Sequence, residues 1–366
     1  MHGDNKVKIL MTTPCLQLEG GVASFCSVLQ NAFLDEICYF TIGRRDSRQK
    51  NILARVLQVL QDAYSLRKTI QSNDFKLIHL NPSLQRFSLL REALFLSIAK
   101  KLNRRVVVFF HGWEPTLAKR MKTWPWRLIA NSYLKADAVI VLAREFQKEL
   151  RSWGYKGIIY IGSTAVEDNV EPIQFEDRVK NSKSTFNVLF MARVTRSKGI
   201  FEALDAYHQV KQRYPHVSFV LAGDGEALEE AQCYVKQHMI KDVRFVGYVR
   251  GRQKDDILNQ SDLLLLPTFH GEGLPMAIIE AMSYGLPIVT RSVGGLKDFF
   301  INGKMGFITD KRSPNDFADY LEQLIVNRSL RVQMGRFNQA YVEEHFTASK
   351  VAGKLHNIYS RVLNEQ

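Results

Sequence analysis

The chain has 366 residues, 46% of them apolar and 24% charged, with a formal net charge of +13. That balance belongs to a folded globular protein of about two domains and excludes a disordered chain. No window of about 18 apolar residues occurs, so no membrane-spanning helix is expected, and the N-terminus lacks the charged-then-apolar profile of a signal peptide.

Taken in chain order, the first half alternates strand and helix patterns. Val7–Thr13, Lys76–Asn81, Arg105–His111 and Ala136–Ala143 are short β-branched or apolar runs, and between them Gly21–Phe33, Arg55–Ser72 and Ser88–Lys101 read as helices. Runs that are apolar throughout suit strands covered on both faces of a parallel sheet. A polar stretch from Ser163 to Thr185 reads as a linker. A second series follows it, with strands expected at Asn187–Arg193, Val217–Gly223, Val243–Tyr248, Asp262–Thr268 and Pro287–Arg291. The expectation is an α/β protein of two doubly wound Rossmann-like domains facing each other across a cleft. The first domain spans 1–165, the linker 166–185 and the second domain 186–345, leaving a helical 346–366 that can cross back to the first.

Cysteine and charge usage bear on compartment and partners. Cys15, Cys26, Cys38 and Cys233 form no C-x-x-C pair and no metal-ligand spacing, which points to a reducing, cytoplasmic setting. Residues 1–165 hold 25 lysines and arginines against 12 acidic residues, whereas 166–366 hold 25 of each. The excess positive charge therefore lies wholly in the first half.

Ligands of doubly wound sheets bind outside the carboxyl ends of the strands. Arg193 ends one expected strand and Lys198-Gly199 opens the next helix, so a guanidinium fork and an ammonium overhang one strand end and suit a multiply charged anion. Gly223-Asp224-Gly225 ends another strand, as a site of close backbone approach or as plain turn chemistry. After Asp262–Thr268 a loop leads to a helix starting near Pro275, whose free N–H groups around Gly273, Leu274 and Met276 form an anion and hydroxyl site. Glu272 lies before that helix and Glu280 on it, too far apart to share a proton. They read as separate hydroxyl acceptors or as solvated carboxylates, and beside the cations the first reading prevails. An anion clamp with two hydroxyl acceptors describes a nucleotide-diphosphate sugar.

The order of "GG" after the first strand, "ARVTRSKG", "GDG" and "EGLPMAIIEAMSYGLPIV" resembles the retaining glycosyltransferases of family 4, also called group 1, which have the GT-B fold. The likeness is strongest over Phe186–Phe307. It implies that Arg193 and Lys198 hold the donor diphosphate, that Glu280 binds the ribose hydroxyls, and that Glu272, Gly273 and Leu274 face the donor sugar. It further implies that Gly223 belongs to the donor site, that Tyr248 and Val249 meet the base, that Gly20 and Gly21 approach the phosphates, and that His111 stands near the reacting centre. The sequence departs from the family in having Ala192-Arg193 where a Gly-Arg pair is usual, and "IGSTAVED" (Ile161–Asp168) in the hinge.

The expected activity is transfer of a sugar from a nucleotide-diphosphate sugar to a saccharide or lipid-linked saccharide, with retention of configuration, in surface polysaccharide or glycolipid synthesis. Positive charge preorganised on the leaving diphosphate is the largest available help, with Arg193, Lys198 and helix N-termini as its source and His111, Arg193, Lys198 and Glu272 as the catalytic set. No D-x-D motif is present, so no cofactor or metal is expected. The alternatives are a nucleotide-sugar epimerase on the same scaffold and a non-catalytic nucleotide-sugar-binding protein. Leu84–Arg105 and Ala118–Lys135 interleave cations with Phe, Leu and Trp, which suits either an anionic membrane surface, with the protein peripheral on its inner face, or amphipathic helices packing inward. No nucleic-acid-binding module is visible.

Overall fold

The computed structural model describes residues 8–17, 20–33, 37–43, 52–168, 170, 185–269, 271 and 273–364. The chain forms two compact units, one of Met1–Ala165, Gly271–Leu274 and Ala348–Gln366, the other of Val166–His270 and Pro275–Thr347. Most of the expected linker lies outside the described residues.

The first unit runs β1 (Lys8–Thr13), α1 (Gly21–Gln30), β2 (Ile37–Thr41), α2 (Ile52–Gln71), β3 (Phe75–Leu80), α3 (Arg86–Lys101), β4 (Arg105–Phe110), α4 (Pro115–Arg120), α5 (Trp126–Tyr133), β5 (Ala138–Val141), α6 (Arg144–Trp153) and β6 (Ile158–Ile161). Its strands form one sheet in the order β2-β1-β3-β4-β5-β6, and every pairing is parallel. The inner strands are buried along nearly their whole length, as a sheet covered on both faces requires. Leu66 and Ile70 of α2, Leu89 and Leu96 of α3, and Tyr133 of α5 pack over the sheet in one apolar core. Four strand runs seen in sequence match β1, β3, β4 and β5, while β2 and β6 escaped notice. Both are edge strands, only partly buried, that take their definition from a single neighbour.

The second unit runs β7 (Phe186–Met191), a 3₁₀ turn at Arg196–Lys198, α7 (Ile200–Arg213), β8 (Val217–Ala222), α8 (Leu228–Gln237), β9 (Val243–Gly247), α9 (Arg252–Gln260), β10 (Leu263–Leu266), α10 (Met276–Ser283), β11 (Ile288–Arg291), α11 (Leu296–Phe299), β12 (Gly306–Thr309), α12 (Pro314–Val326) and α13 (Arg328–His345). Its sheet, again parallel throughout, is ordered β12-β11-β10-β7-β8-β9. The strand order reverses between β7 and β10. A crevice opens at such a switch point beyond the strand ends, so the loops after these two strands are the ones placed to meet a ligand. The last helix, α14 (Ala348–Asn364), belongs to the first unit, where it packs against α1, β3 and β4.

Candidate functional site

In the second unit, Arg193 and Lys198 stand in the loop between β7 and α7, at the switch point. Arg193 is exposed, and no acidic side chain pairs with it among the described residues. Lys198 is half-buried. Burial first, and the Arg193 guanidinium second, bring its pKa down to about 8. The turn is locked against the loop after β10: Phe269 donates its N–H to the Ser197 carbonyl at 2.9 Å, and the Thr268 hydroxyl donates to the same oxygen at 3.4 Å. Gly199 adopts φ +77°, and a Cβ there would lie 2.3 Å from the Pro267 carbonyl oxygen. Only glycine permits that approach.

The Gly223-Asp224-Gly225 loop has a structural duty. A Cβ on Gly223 would lie 1.9 Å from the Ala192 carbonyl oxygen, and one on Gly225 would lie 2.4 Å from that of Val194. Val194 donates its N–H to Asp224 and Ala227 donates to Val194. The glycines thus let the β8 loop buttress the backbone on either side of Arg193.

Helix α10 has no side-chain cap, and the N–H groups of Gly273, Leu274, Met276 and Ala277 have no partner among the described residues. Such an end carries partial positive charge and free donors. Glu280, one turn into α10, is partly buried and bonded to Lys254 of α9 at 2.8 Å. Burial pulls Lys254 down, but Glu280, with Asp255 and Glu167 nearby, more than offsets this and holds the ammonium charged. Gly285 at φ +70° closes the helix, with Leu286 donating to Ala281. Tyr248 is exposed and Val249 buried at the end of β9. Glu272 lies outside the described residues.

In the first unit, Gly20 precedes α1 at φ +149°, and nothing lies within 4 Å of a Cβ built on Gly20 or Gly21, so this turn leaves open space. His111 follows β4, its ring against Phe109 and Phe25. Burial, then the neighbouring His79, lower its pKa to about 3, so the imidazole is neutral. The segment Gly271–Leu274 groups with this unit, and a Cβ on Gly273 would lie 2.7 Å from the His111 carbonyl oxygen. That contact brings two of the expected site residues together. His111 also bonds Asn81, which bonds His79, which bonds Tyr359. None of these three partners stood out in the sequence; His79 and Asn81 lie at the polar end of an apolar strand, which was the only signal available. In the same unit, a cavity of about 400 Å³ is lined by Leu84, Arg86, Glu114, Thr116 and Arg120 among others. Leu84 donates to Gly112, and His111 to Pro82, both at 3.0 Å, which ties the cavity's wall to the His111 loop.

With this geometry in place, the chain can be compared with known proteins. Residues 172–340 match the family model of the glycosyl transferases group 1, and residues 30–166 match that of glycosyltransferase family 4. The chain belongs to the group 1, family 4 glycosyltransferases. Among its relatives are an uncharacterized glycosyltransferase, MJ1069, of Methanocaldococcus jannaschii, 25% identical over 57% of this chain and 53% of that one, and YqgM of Bacillus subtilis, 24% identical over 73% and 74%. The capsular polysaccharide biosynthesis glycosyltransferase CapM of Staphylococcus aureus is 26% identical over 49% of this chain and 47% of its own. The chain spans about half the length of most curated relatives it matches. Among solved structures, Anabaena HepE in complex with UDP and glucose aligns over 97% of this chain and 99% of its own at 17% identity and a TM-score of 0.73. Sucrose-phosphate synthase from Thermosynechococcus elongatus aligns over 97% and 99% at 16% identity and 0.75. These likenesses establish the fold: two Rossmann-like units of the GT-B class.

Proposed function

We propose that the protein transfers a sugar from a nucleotide-diphosphate sugar to a saccharide or lipid-linked saccharide acceptor, retaining anomeric configuration, in the synthesis of a surface polysaccharide or glycolipid. The observation that carries this is the concentration of positive charge at the switch point of the second sheet: Arg193 without an acidic partner among the described residues, Lys198 held half-buried beside it, and the uncapped N-terminus of α10. Breaking the bond between the sugar C1 and the donor phosphate oxygen leaves a diphosphate, whose charge these groups stabilise. A new bond forms from C1 to the acceptor oxygen, and the acceptor proton passes to the departing phosphate. Glu280 takes the ribose hydroxyls, Tyr248 and Val249 the base, and Glu272 with the Gly273 and Leu274 amides the sugar. Gly20 and Gly21 approach the phosphates, and His111 accepts a hydrogen bond from a substrate hydroxyl. No metal enters this scheme, so turnover should survive a chelator. Relatives acting in capsular polysaccharide synthesis, and a fold neighbour seen with UDP and glucose, support the donor and acceptor classes. The test is release of free nucleotide from a panel of nucleotide sugars, with and without membrane lipid extract, followed by NMR of the product's anomeric proton. Acceptor-dependent release with unchanged anomeric configuration is expected, and no release from any donor would end the proposal.

The acceptor side of the reading includes an anionic membrane surface. Helices α2, α3 and α5 lie side by side, and the outward face of α2 is apolar: Leu53, Leu57 and Tyr64 are 74, 60 and 72% exposed, with Phe87 and Leu90 of α3 also exposed. Trp124, before α5, is 81% exposed. Between residues 52 and 135 the carboxylates are Asp62, Asp74, Glu92 and Glu114. Asp62 and Glu92 are buried, Asp74 pairs with Lys76, and Glu114 caps α4. An exposed apolar face ringed by cations, with its acids already engaged, suits an anionic bilayer. The stretches singled out in sequence, Leu84–Arg105 and Ala118–Lys135, contribute less of this face than α2 does, since Leu89, Phe95, Leu96 and Tyr133 are core residues. Arg86 and Arg120, which line the first unit's cavity, suit the phosphate of a lipid-linked acceptor. Co-sedimentation with phosphatidylglycerol vesicles at low salt is expected, with loss in a Leu57→Glu, Leu60→Glu variant. No sedimentation of the wild type, or salt-independent dimerisation through this face, would reject the membrane.

A further inference from the structure

Behind His111 a chain of buried polar groups runs to the last helix. The Asn81 side chain donates from Nδ2 to the Thr12 carbonyl at 2.8 Å, and its own N–H donates to the Thr12 hydroxyl at 3.2 Å. This fixes the amide, so Oδ1 faces the two histidines: His111 Nε2 at 2.7 Å and His79 Nε2 at 3.0 Å. A carbonyl oxygen only accepts, so both Nε2 atoms donate. Each imidazole is neutral and carries one proton, which leaves Nδ1 of each as a lone pair. For His79 that lone pair receives the Tyr359 hydroxyl at 2.6 Å. For His111 it has no partner among the described residues.

We propose that Asn81, its amide anchored on Thr12 and its Oδ1 shared with His79, sets the tautomer and orientation of His111 so that its Nδ1 presents a lone pair to a substrate hydroxyl. Asn81 is then a positioning residue for the transfer reaction, and Tyr359 holds its other donor, His79, in the matching tautomer. The proposal rests on the reading of His111 as a residue of the reacting centre.

Three physical points carry it. His79 and Tyr359 are fully buried, and burying an imidazole and a phenol costs more than burying apolar groups of the same volume unless every bond is made. Here every bond is made. The ring packing also leaves His111 little freedom, since Phe109 lies at 4.1 Å and Phe25 at 4.7 Å between centroids. Its remaining choice is which nitrogen holds the proton, and that choice is set by the bond the other nitrogen makes. Finally, the Tyr359 ring sits edge-on to His79 at 5.6 Å and near Phe33 at 6.3 Å, so packing holds the ring and the hydroxyl adds only the hydrogen bond. Removing that oxygen therefore perturbs the chain without emptying the core.

The experiment uses the full chain with ¹⁵N-labelled histidine. In the wild type, the imidazole ¹⁵N shifts of His79 and His111 should both report a neutral ring protonated on Nε2. Asn81→Leu removes the acceptor that both Nε2 protons use, at similar side-chain volume. His111 should then show mixed tautomers, and kcat should fall by about tenfold with the donor dissociation constant within about twofold. Phe33→Leu, which loosens the last helix without touching the hydrogen bonds, should lower the melting temperature and leave the His111 tautomer alone. Tyr359→Phe, which removes only the bond to His79 Nδ1, should leave both rings protonated on Nε2, and Asn81→Ala provides a second removal of the acceptor. A His111 spectrum unchanged in both Asn81→Leu and Asn81→Ala would overturn the proposal, as would a changed tautomer with wild-type kcat. The spectra are read without substrate, so they judge the positioning chain even if the transfer reaction itself is not found.

Discussion

Lys198 provides a titration test of the donor site. In the free protein its ammonium, half-buried and beside the Arg193 guanidinium, has a pKa of about 8 in place of the ordinary 10.5. Such a group is about 90% charged at pH 7 and about 10% at pH 9, so if the charged form holds the diphosphate, affinity falls about tenfold over that interval, or about 1.4 kcal/mol. An ordinary lysine would stay about 97% charged and the affinity would not move. The assay is calorimetric titration of a nucleotide sugar at pH 7, 8 and 9, in buffers of different ionisation enthalpy. Near pH 9 the complex should take up close to one proton. Lys198→Arg keeps its charge and should flatten the profile. Affinity constant within twofold from pH 7 to 9, with no proton uptake, would refute both the depressed pKa and the diphosphate role. The stability sign runs the other way. A lysine depressed in the folded state leaves the unfolded chain holding more protons between about pH 8 and 10.5, so stability rises across that window and the cost is fully present below it. Lys198→Met should therefore raise the melting temperature at pH 7 while weakening donor binding.

Other outcomes follow from the same site. Glu280→Ala should weaken donor binding by about 1.5–3 kcal/mol through loss of a charged acceptor, and it leaves the partly buried Lys254 unpaired; unchanged calorimetric affinity would count against the ribose role. Arg193→Ala should reduce kcat by about 100-fold with a smaller change in donor affinity, because the departing diphosphate gathers charge as the bond breaks; wild-type turnover would remove Arg193 from the mechanism. Gly223→Ala should destabilise the second unit by about 1–3 kcal/mol, since φ +154° and the Ala192 carbonyl leave no room for a methyl group. Equilibrium denaturation checks this, and a stable variant would show that the loop yields.

The parts of the fold legible in sequence are those whose environment is uniform along the chain. β4, β5 and β10 are buried at almost every position, so their apolar runs announced them. β2, β6 and β12 are edge strands whose outer sides meet no other strand, and their patterns carry little periodicity. At the site, Arg193 and Lys198 could be singled out because they directly follow a strand. The glycines of Gly223-Asp224-Gly225 were noticed for the right conformational reason, close backbone approach, but what approaches is the neighbouring loop. The Lys254 partner of Glu280 was invisible, because it comes from a helix 26 residues earlier.

Sequence alone determined the two βα series, the family motifs and the placing of excess positive charge in the first half, since each is written in neighbouring residues or in simple sums over them. Tertiary structure alone decided which groups those residues meet. Tyr359 and His79 are 280 positions apart, and their bond exists because α14 packs beside β3, a consequence of helix docking that no local pattern records. The same holds for α2, where the core took Ala63, Leu66 and Ile70 and left the opposite apolar face in solvent.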